Sequence, residues 1–229
     1  MKNKIYFFAL IFLILFMWVL YFLNKDFFQL ENFFLNVEII NEFIKKNFLI
    51  SILLYILSYF ILVICNFPFV SLLSMIGGFL FGTWVGGSAI LIAGTLGAFS
   101  IFIIAKNFFF QFINDKILKN FPNFKNYFIN NDIELMLLIR LVPLVPYSMQ
   151  NLVLAGLGAR NKKFFYTSLI GMSPWAFIFA SLGQSLDDIF VNNQKISIQF
   201  FLKPEYLVPI CISVFLLIVI MNYKKKIKN

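Results

Sequence analysis

Long apolar stretches without a charged residue dominate this chain. Three of them, Ile5–Leu23, Val85–Ala105 and Phe164–Leu182, approach the roughly 20 residues that a helix needs to cross a ~30 Å hydrocarbon core. A fourth run, Tyr206–Met221, is shorter. The pattern therefore predicts an all-α membrane protein, a multi-pass helical bundle.

Composition supports this prediction and narrows the function. Apolar residues make up 61% of the chain and charged residues 13%, whereas a soluble domain carries about 25% charge. The net charge of +9 is spread over short loops, which favours anionic lipid headgroups over nucleic acid as a partner. Because the chain has no histidine, it lacks the usual zinc ligands and Ser-His pairs, and we expect no cofactor, no metal and no enzymatic activity.

The basic residues predict the topology, because lysine and arginine collect on the cytoplasmic side. They cluster near the N-terminus, between residues 106 and 125, at Arg160–Lys163 and in the tail at 224–228. This places both termini in the cytoplasm and residues 24–47 outside, in a multi-pass protein of the cell membrane. We divide the chain into an anchor helix and outer connection (1–47), a core (48–185), and a last helix with a basic tail (186–229). Whether residues 48–64 span the bilayer or form half of a hairpin stays open.

One apolar segment starts and ends on the same predicted side. The stretch Leu135–Leu157 contains Arg140, Pro143 and Pro146, so it suits two half-helices that meet at a proline break. An earlier block resembles it, since Pro68-Phe69 precedes Gly77-Gly78 by the same spacing that separates Pro146-Tyr147 from Ala155-Gly156. The predicted sides of entry are opposite, and we therefore expect two opposed re-entrant hairpins that form an inverted repeat.

Arg140 is the leading candidate for a functional residue. A charge at membrane depth costs about 2.5–3.5 kcal/mol, and the arginine fork suits a phosphate or carboxylate. The N-terminus of a half-helix after Pro146 would add a favourable dipole, and Gln150 and Asn151 would lie just beyond it. A structural role for Arg140, with backbone carbonyls or Glu134 as partners, is the alternative. In the first block, the candidate tip residues are Asn66, Pro68, Gly77, Gly78 and Gly82.

The ordered motifs resemble those of VTT-domain membrane proteins, the DedA and SNARE-associated Golgi protein superfamily. They comprise Arg140-Leu-Val-Pro-Leu-Val-Pro-Tyr147, then Asn151, Gly156, Gly171 and Pro174, with Pro68, Gly77-Gly78 and Phe81-Gly82 upstream. The resemblance implies opposed hairpins and transport of phospholipids or polyprenyl phosphates between leaflets. It is closest to the Tvp-type branch, because no carboxylate lies between Asn47 and Phe110 and the later block carries one arginine. A proton-coupled mechanism would have Glu134 as its best-placed carboxylate.

The leading hypothesis is thus a lipid flippase or scramblase whose partners are anionic phospholipids or polyprenyl phosphates. Two alternatives stay open: a membrane organiser that binds lipids or partner helices without transport, and a small-anion or ion transporter. A homo-oligomer is also left open.

Overall fold

The computed structural model describes residues 36–67, 70–116, 132–141 and 147–190, together with single positions or pairs at 18–19, 22–23, 128, 204, 208, 211–212, 215 and 218. Six bounded helices lie within these ranges: α1 (Val37–Lys46), α2 (Phe48–Ile64), α3 (Val70–Lys116), α4 (Asp132–Leu141), α5 (Tyr147–Gly156) and α6 (Asn161–Phe190). The described residues include no strand, so the predicted all-α class is confirmed for this part of the chain.

Two of the predicted membrane spans lie inside long apolar helices. Val70–Phe108 and Asn161–Leu186 are long and apolar enough to cross a bilayer, and the α1–α2 pair, bent by 119° at Asn47, would make a third span if it is counted as one. The predicted spans Ile5–Leu23 and Tyr206–Met221 lie almost wholly outside the described residues. The structure therefore supports a multi-pass membrane protein.

Helix α3 is not straight, because Gly82 interrupts it. Gly82 has φ 76° and ψ 170°, a conformation that is essentially restricted to glycine. A Cβ on Gly86 would lie 2.5 Å from the Gly77 carbonyl oxygen, although nine residues of straight helix span about 13 Å. The chain therefore folds back at Gly82, and we call residues 70–81 the short arm of α3 and residues 83–116 its long arm.

The long arm of α3 and helix α6 pack antiparallel along their length. Lys106 binds Asn161 at 3.0 Å at one end, and Thr83 binds Gln184 at 2.7 Å at the other. Between these ends, Phe102 stacks on Phe164 with the ring centroids 3.9 Å apart. The two longest apolar helical segments thus form the centre of the molecule, and the shorter helices pack on them.

Helices α4 and α5 make an excursion that returns to its starting end. α4 runs parallel to α6, since Asp132 binds Lys163 and Met136 contacts Thr167, both pairs 31 positions apart. α5 runs parallel to the long arm of α3, since Tyr147 binds Gly94 and Ala159 binds Lys106, both 53 positions apart. Because α6 and the long arm are antiparallel, α4 and α5 run in opposite directions.

The two ends of this excursion are joined by ion pairs. Asp132, at the start of α4, binds Lys163 at 2.6 Å and lies 3.6 Å from Arg160, which follows α5. Residues 132–160 therefore begin and finish at the same end of the bundle. Pro143 and Pro146, which the sequence places at the turning point, lie outside the described residues, as does Pro68.

Two short helices end in the same backbone motif. After α2, the Asn66 amide donates to the Val63 carbonyl and the Phe67 amide to Leu62; Asn66 has φ 52°. After α5, Gly158, with φ 76°, and Ala159 repeat the pattern. This is the Schellman arrangement, in which a residue in the left-handed region stops a helix. Asn66 therefore has a structural role as the residue that ends α2.

The predicted first-block glycines lie in the short arm of α3 and at the fold-back that ends it. Gly77 and Gly78 lie within the short arm, where Gly77 faces the Tyr55 side chain and Gly78 faces the Ala180 carbonyl. Only Gly82 interrupts the helix. Gly82 and Gly158, which both precede a long apolar helix, are 76 residues apart, whereas the spacing match in the sequence pairs residues 78 apart.

Candidate anion site at Arg140

Arg140 is buried near the end of α4, where only 3% of it is exposed. α6 makes room for it with a glycine: a Cβ on Gly171 would lie 2.5 Å from the Arg140 Cβ. Since Gly171 has no side chain, the two parallel helices approach closely enough to direct the guanidinium between α4, α5 and α6. The small residue that allows this approach is thus part of the site.

Three neutral side chains bind the guanidinium. One terminal nitrogen, Nη1, donates to Gln150 Oε1 at 3.2 Å, and the other, Nη2, donates to Asn151 Oδ1 at 2.6 Å and Ser168 Oγ at 3.0 Å. Gln150 and Asn151 belong to α5 and Ser168 to α6, so one side chain cross-links three helices. The structure therefore joins Arg140, Gln150 and Asn151, which the sequence analysis had proposed together.

No described carboxylate forms a salt bridge with Arg140. Burying a charge costs several kcal/mol unless an opposite charge or a full set of hydrogen bonds compensates. Glu134 lies in the first turn of α4, about 9 Å along the helix axis from Arg140. The cage around Arg140 is accordingly cationic.

Two aromatic rings enclose the guanidinium and offset part of this cost. The guanidinium carbon lies 5.0 Å from the Phe164 ring centroid and 5.5 Å from that of Tyr147, within the range of cation–π attraction. The Tyr147 hydroxyl donates to the Gly94 carbonyl of α3 at 2.8 Å. All four helical segments around the cage therefore contribute to its walls.

Two donors in the cage have no hydrogen-bond partner among the described residues. They are Arg140 Nε and Asn151 Nδ2, and both belong to side chains that are at least 97% buried. A buried donor without an acceptor costs about 1–3 kcal/mol, and more when it is charged. A cationic cage with spare N–H groups is chemically suited to an acceptor-rich anion such as a phosphate.

The contribution of α6 to the site was not predicted from the sequence. Ser168 binds the guanidinium, Phe164 covers it and Gly171 makes room for it. These residues are three and four positions apart, so they share one helix face. That spacing is the sequence feature from which their contribution to the site could have been predicted. It is a weak signal, because a serine and a glycine on an apolar face are also typical of ordinary packing in membrane proteins.

Other described residues that the sequence singled out lie towards the two ends of the bundle. Arg160 and Lys163, which the sequence analysis interpreted as an interfacial cluster, bind Asp132 at one end of the bundle. At the opposite end, Gln184 Oε1 accepts from both the amide and the hydroxyl of Thr83, at 2.7 Å each, next to Gly82. The structure thus places Gly82 at the end of the bundle opposite to Asp132.

Comparison with known proteins gives one family and one curated relative. The family model described as the VTT domain matches residues 67–185, which include every residue of the Arg140 cage. The uncharacterized protein YqeD of Bacillus subtilis (strain 168) is 29% identical over 140 residues, which cover 59% of this chain and 65% of that protein. No solved structure matches the chain.

Proposed function

Because the chain belongs to the VTT-domain family of membrane proteins, we propose that it moves a phosphate-bearing lipid between the two leaflets of the bilayer. The substrate class is an anionic phospholipid or a polyprenyl phosphate, and the membrane is the cell membrane. The acyl or polyprenyl chain stays in the lipid phase while the headgroup enters the protein at Arg140.

One observation carries this proposal: a buried cation that lacks an ion-pair partner among the described residues and retains unused donors. Arg140 Nε and Asn151 Nδ2 face no acceptor in the described part of the chain, and the three partners of Arg140 are neutral. A purely structural arginine would be more stable with a carboxylate beside it. A site that must receive and release an anion is better served by neutral partners, which the anion displaces.

The packing supports two opposed re-entrant hairpins. The ends of the 132–160 excursion meet at Asp132, as expected for a hairpin that enters and leaves on one side. The short arm of α3 folds back at Gly82, near the opposite end of the antiparallel α3–α6 pair. In this proposal the Asp132 end faces the cytoplasm, with both chain termini, and the Gly82 end faces outward.

The arrangement of the second hairpin suggests how the site opens. α4 packs mainly on α6, and α5 packs mainly on α3, with few contacts between α4 and α5 themselves. Release of the Arg140 hydrogen bonds to Gln150 and Asn151 would therefore let α4 and α5 separate and expose Arg140, while α3 and α6 stay packed. In this proposal the described structure, with Arg140 buried, is the closed state.

The test is leaflet exchange in proteoliposomes, measured per folded molecule, with fluorescent phosphatidic acid and fluorescent phosphatidylcholine as probes. Arg140→Gln should slow exchange of phosphatidic acid about 10- to 100-fold, since hydrogen bonds to a charged group contribute roughly 1.5–3 kcal/mol. Arg140→Lys should fall between Arg140→Gln and the wild type, because lysine keeps the charge but loses the fork.

The matched control is Arg160→Gln, which makes the same chemical change at a side chain that is 72% exposed. It should exchange lipid at nearly the wild-type rate, because exposed ion pairs contribute little. Wild-type exchange by Arg140→Gln would refute the proposal. A wild-type protein that binds phosphatidic acid without exchanging it would favour the membrane organiser, and flux of small anions without lipid exchange would favour an anion transporter.

A further inference from the structure

The two rings that cover Arg140 differ in how firmly they are held. Phe164 is completely buried, and it stacks on Phe102 with the centroids 3.9 Å apart. Phe99 contacts it from another side at 6.4 Å. Displacing Phe164 would break this aromatic cluster at the centre of the bundle, so it acts as a fixed wall.

Tyr147 is held less firmly. It is the first residue of α5 and is partly exposed. Its hydroxyl donates to the Gly94 carbonyl, a backbone oxygen of the neighbouring long arm. The Tyr147 ring packs against the core clusters as a partly buried side chain, whereas Phe164 is a fully buried member of one of them.

We propose that Tyr147 is the lid of the anion site. The headgroup reaches Arg140 by taking the place of the Tyr147 ring, after the tyrosine hydroxyl has left the Gly94 carbonyl. This inference rests on the proposed function, because it concerns access to the same site. The lid opens and closes before the anion binds, and only the open molecules can bind it. The apparent affinity for the anion is therefore the intrinsic affinity multiplied by the fraction of molecules whose lid is open.

The central variant is Tyr147→Phe, which removes the hydroxyl and keeps the ring over Arg140. Losing one neutral hydrogen bond that favours the closed lid should tighten the apparent affinity about 2- to 10-fold. The probe is short-chain phosphatidic acid, titrated into the full-length protein in detergent. A merely structural tyrosine would predict the opposite sign, since its loss would loosen the site.

A tryptophan beside the site provides the binding signal. Trp175 Nε1 donates to the Leu141 carbonyl at 3.3 Å, next to Arg140. The chain has three tryptophans, so replacing Trp18 and Trp84 by phenylalanine leaves Trp175 as the only indole. Its fluorescence should shift on binding.

Tyr59→Phe is the matched control. The Tyr59 hydroxyl shares a hydrogen bond of 2.9 Å with Ser74, and its ring contributes to the α2–α3–α6 core and not to the pair of rings that cover Arg140. The chemical change is therefore identical, but the hydroxyl that is removed does not hold the lid closed. Tyr59→Phe should leave the affinity for phosphatidic acid within twofold of wild type or weaken it.

Two results would overturn the lid. One is that Tyr147→Phe binds phosphatidic acid no more tightly than Tyr59→Phe. The other comes from a nitration experiment on the wild-type protein, which needs no folded variant. Saturating phosphatidic acid should increase nitration of Tyr147, mapped by mass spectrometry, while Tyr59 stays protected. Unchanged nitration of Tyr147 would exclude the movement.

The lid and the anion site can fail separately. If Arg140→Gln binds phosphatidic acid as tightly as the wild type, the anion site itself is refuted. If Arg140→Gln loses binding and Tyr147→Phe gains none, the anion site stands and the lid is refuted.

Discussion

Replacing Asn151 by aspartate tests whether the missing countercharge is a functional feature of the cage. Asn151 Oδ1 lies 2.6 Å from an Arg140 terminal nitrogen, and Asn151 Nδ2 has no acceptor among the described residues. Aspartate has nearly the same shape, so Asn151→Asp places a carboxylate against the guanidinium and removes one unused donor.

The magnitude follows from the short distance. Unit charges about 4 Å apart attract by about 4 kcal/mol at an effective dielectric constant of 20. Burial of the new carboxylate offsets this gain by several kcal/mol, so we expect the free energy of unfolding to change by less than about 2 kcal/mol. A phosphate arriving at the site would meet a neutral cage and lose the attraction of about 4 kcal/mol, which corresponds to roughly 1,000-fold weaker binding.

Binding of short-chain phosphatidic acid and its leaflet exchange are the two assays, with a thermal melt to verify folding. The matched control is Asn161→Asp, the same substitution at an exposed position beside Lys106. It should keep wild-type binding. A folded Asn151→Asp protein that binds and exchanges phosphatidic acid normally would refute the reasoning, because it would show that Arg140 works with a permanent counter-ion.

The remaining predictions concern packing and topology. Gly183→Ala should destabilise the protein by more than about 2 kcal/mol, because a Cβ there meets a backbone carbonyl of the short arm of α3. Gly94→Ala should cost less than about 1 kcal/mol, because the nearest atom to a Cβ there is the flexible end of a methionine side chain at 3.1 Å. Equal melting temperatures of the two variants would contradict this. Single cysteines at Lys225 and Asn36, in a background without the two native cysteines, should react with an impermeant reagent from opposite sides of the membrane, and labelling of both from outside would overturn the topology.

The sequence was sufficient for the features that depend on local pattern. Charge-free runs gave the long helices, and a single arginine among apolar residues identified Arg140 as unusual before its surroundings were known. Gln150 and Asn151 were found because they lie within 11 residues of Arg140, so the excursion that brings them together is itself local.

Features that depend on distant partners were not predictable in the same way. Gly77, Gly78 and Gly82 look alike in the sequence, yet two of them pack inside a helix and only Gly82 interrupts it. Their surroundings differ because Gly77 faces Tyr55 and Gly78 faces the Ala180 carbonyl, about 100 residues away. The role of Ser168 was not predicted for a similar reason, since Ser168 contacts Arg140 only because α4 and α6 pack in a parallel register.

The way in which α4 and α5 are held has a consequence for biosynthesis. Helix α4 packs mainly on α6 and helix α5 mainly on α3, and α6 follows both α4 and α5 in the chain. When α4 and α5 emerge from the ribosome, α5 can dock on α3, but α4 lacks its main packing partner until α6 has been made. Arg140 then remains without Ser168 and Phe164. Helices α4 and α5 should therefore reach their final packing late, and a nascent chain that stalls before residue 186 should expose Arg140 to the translocon and to quality control.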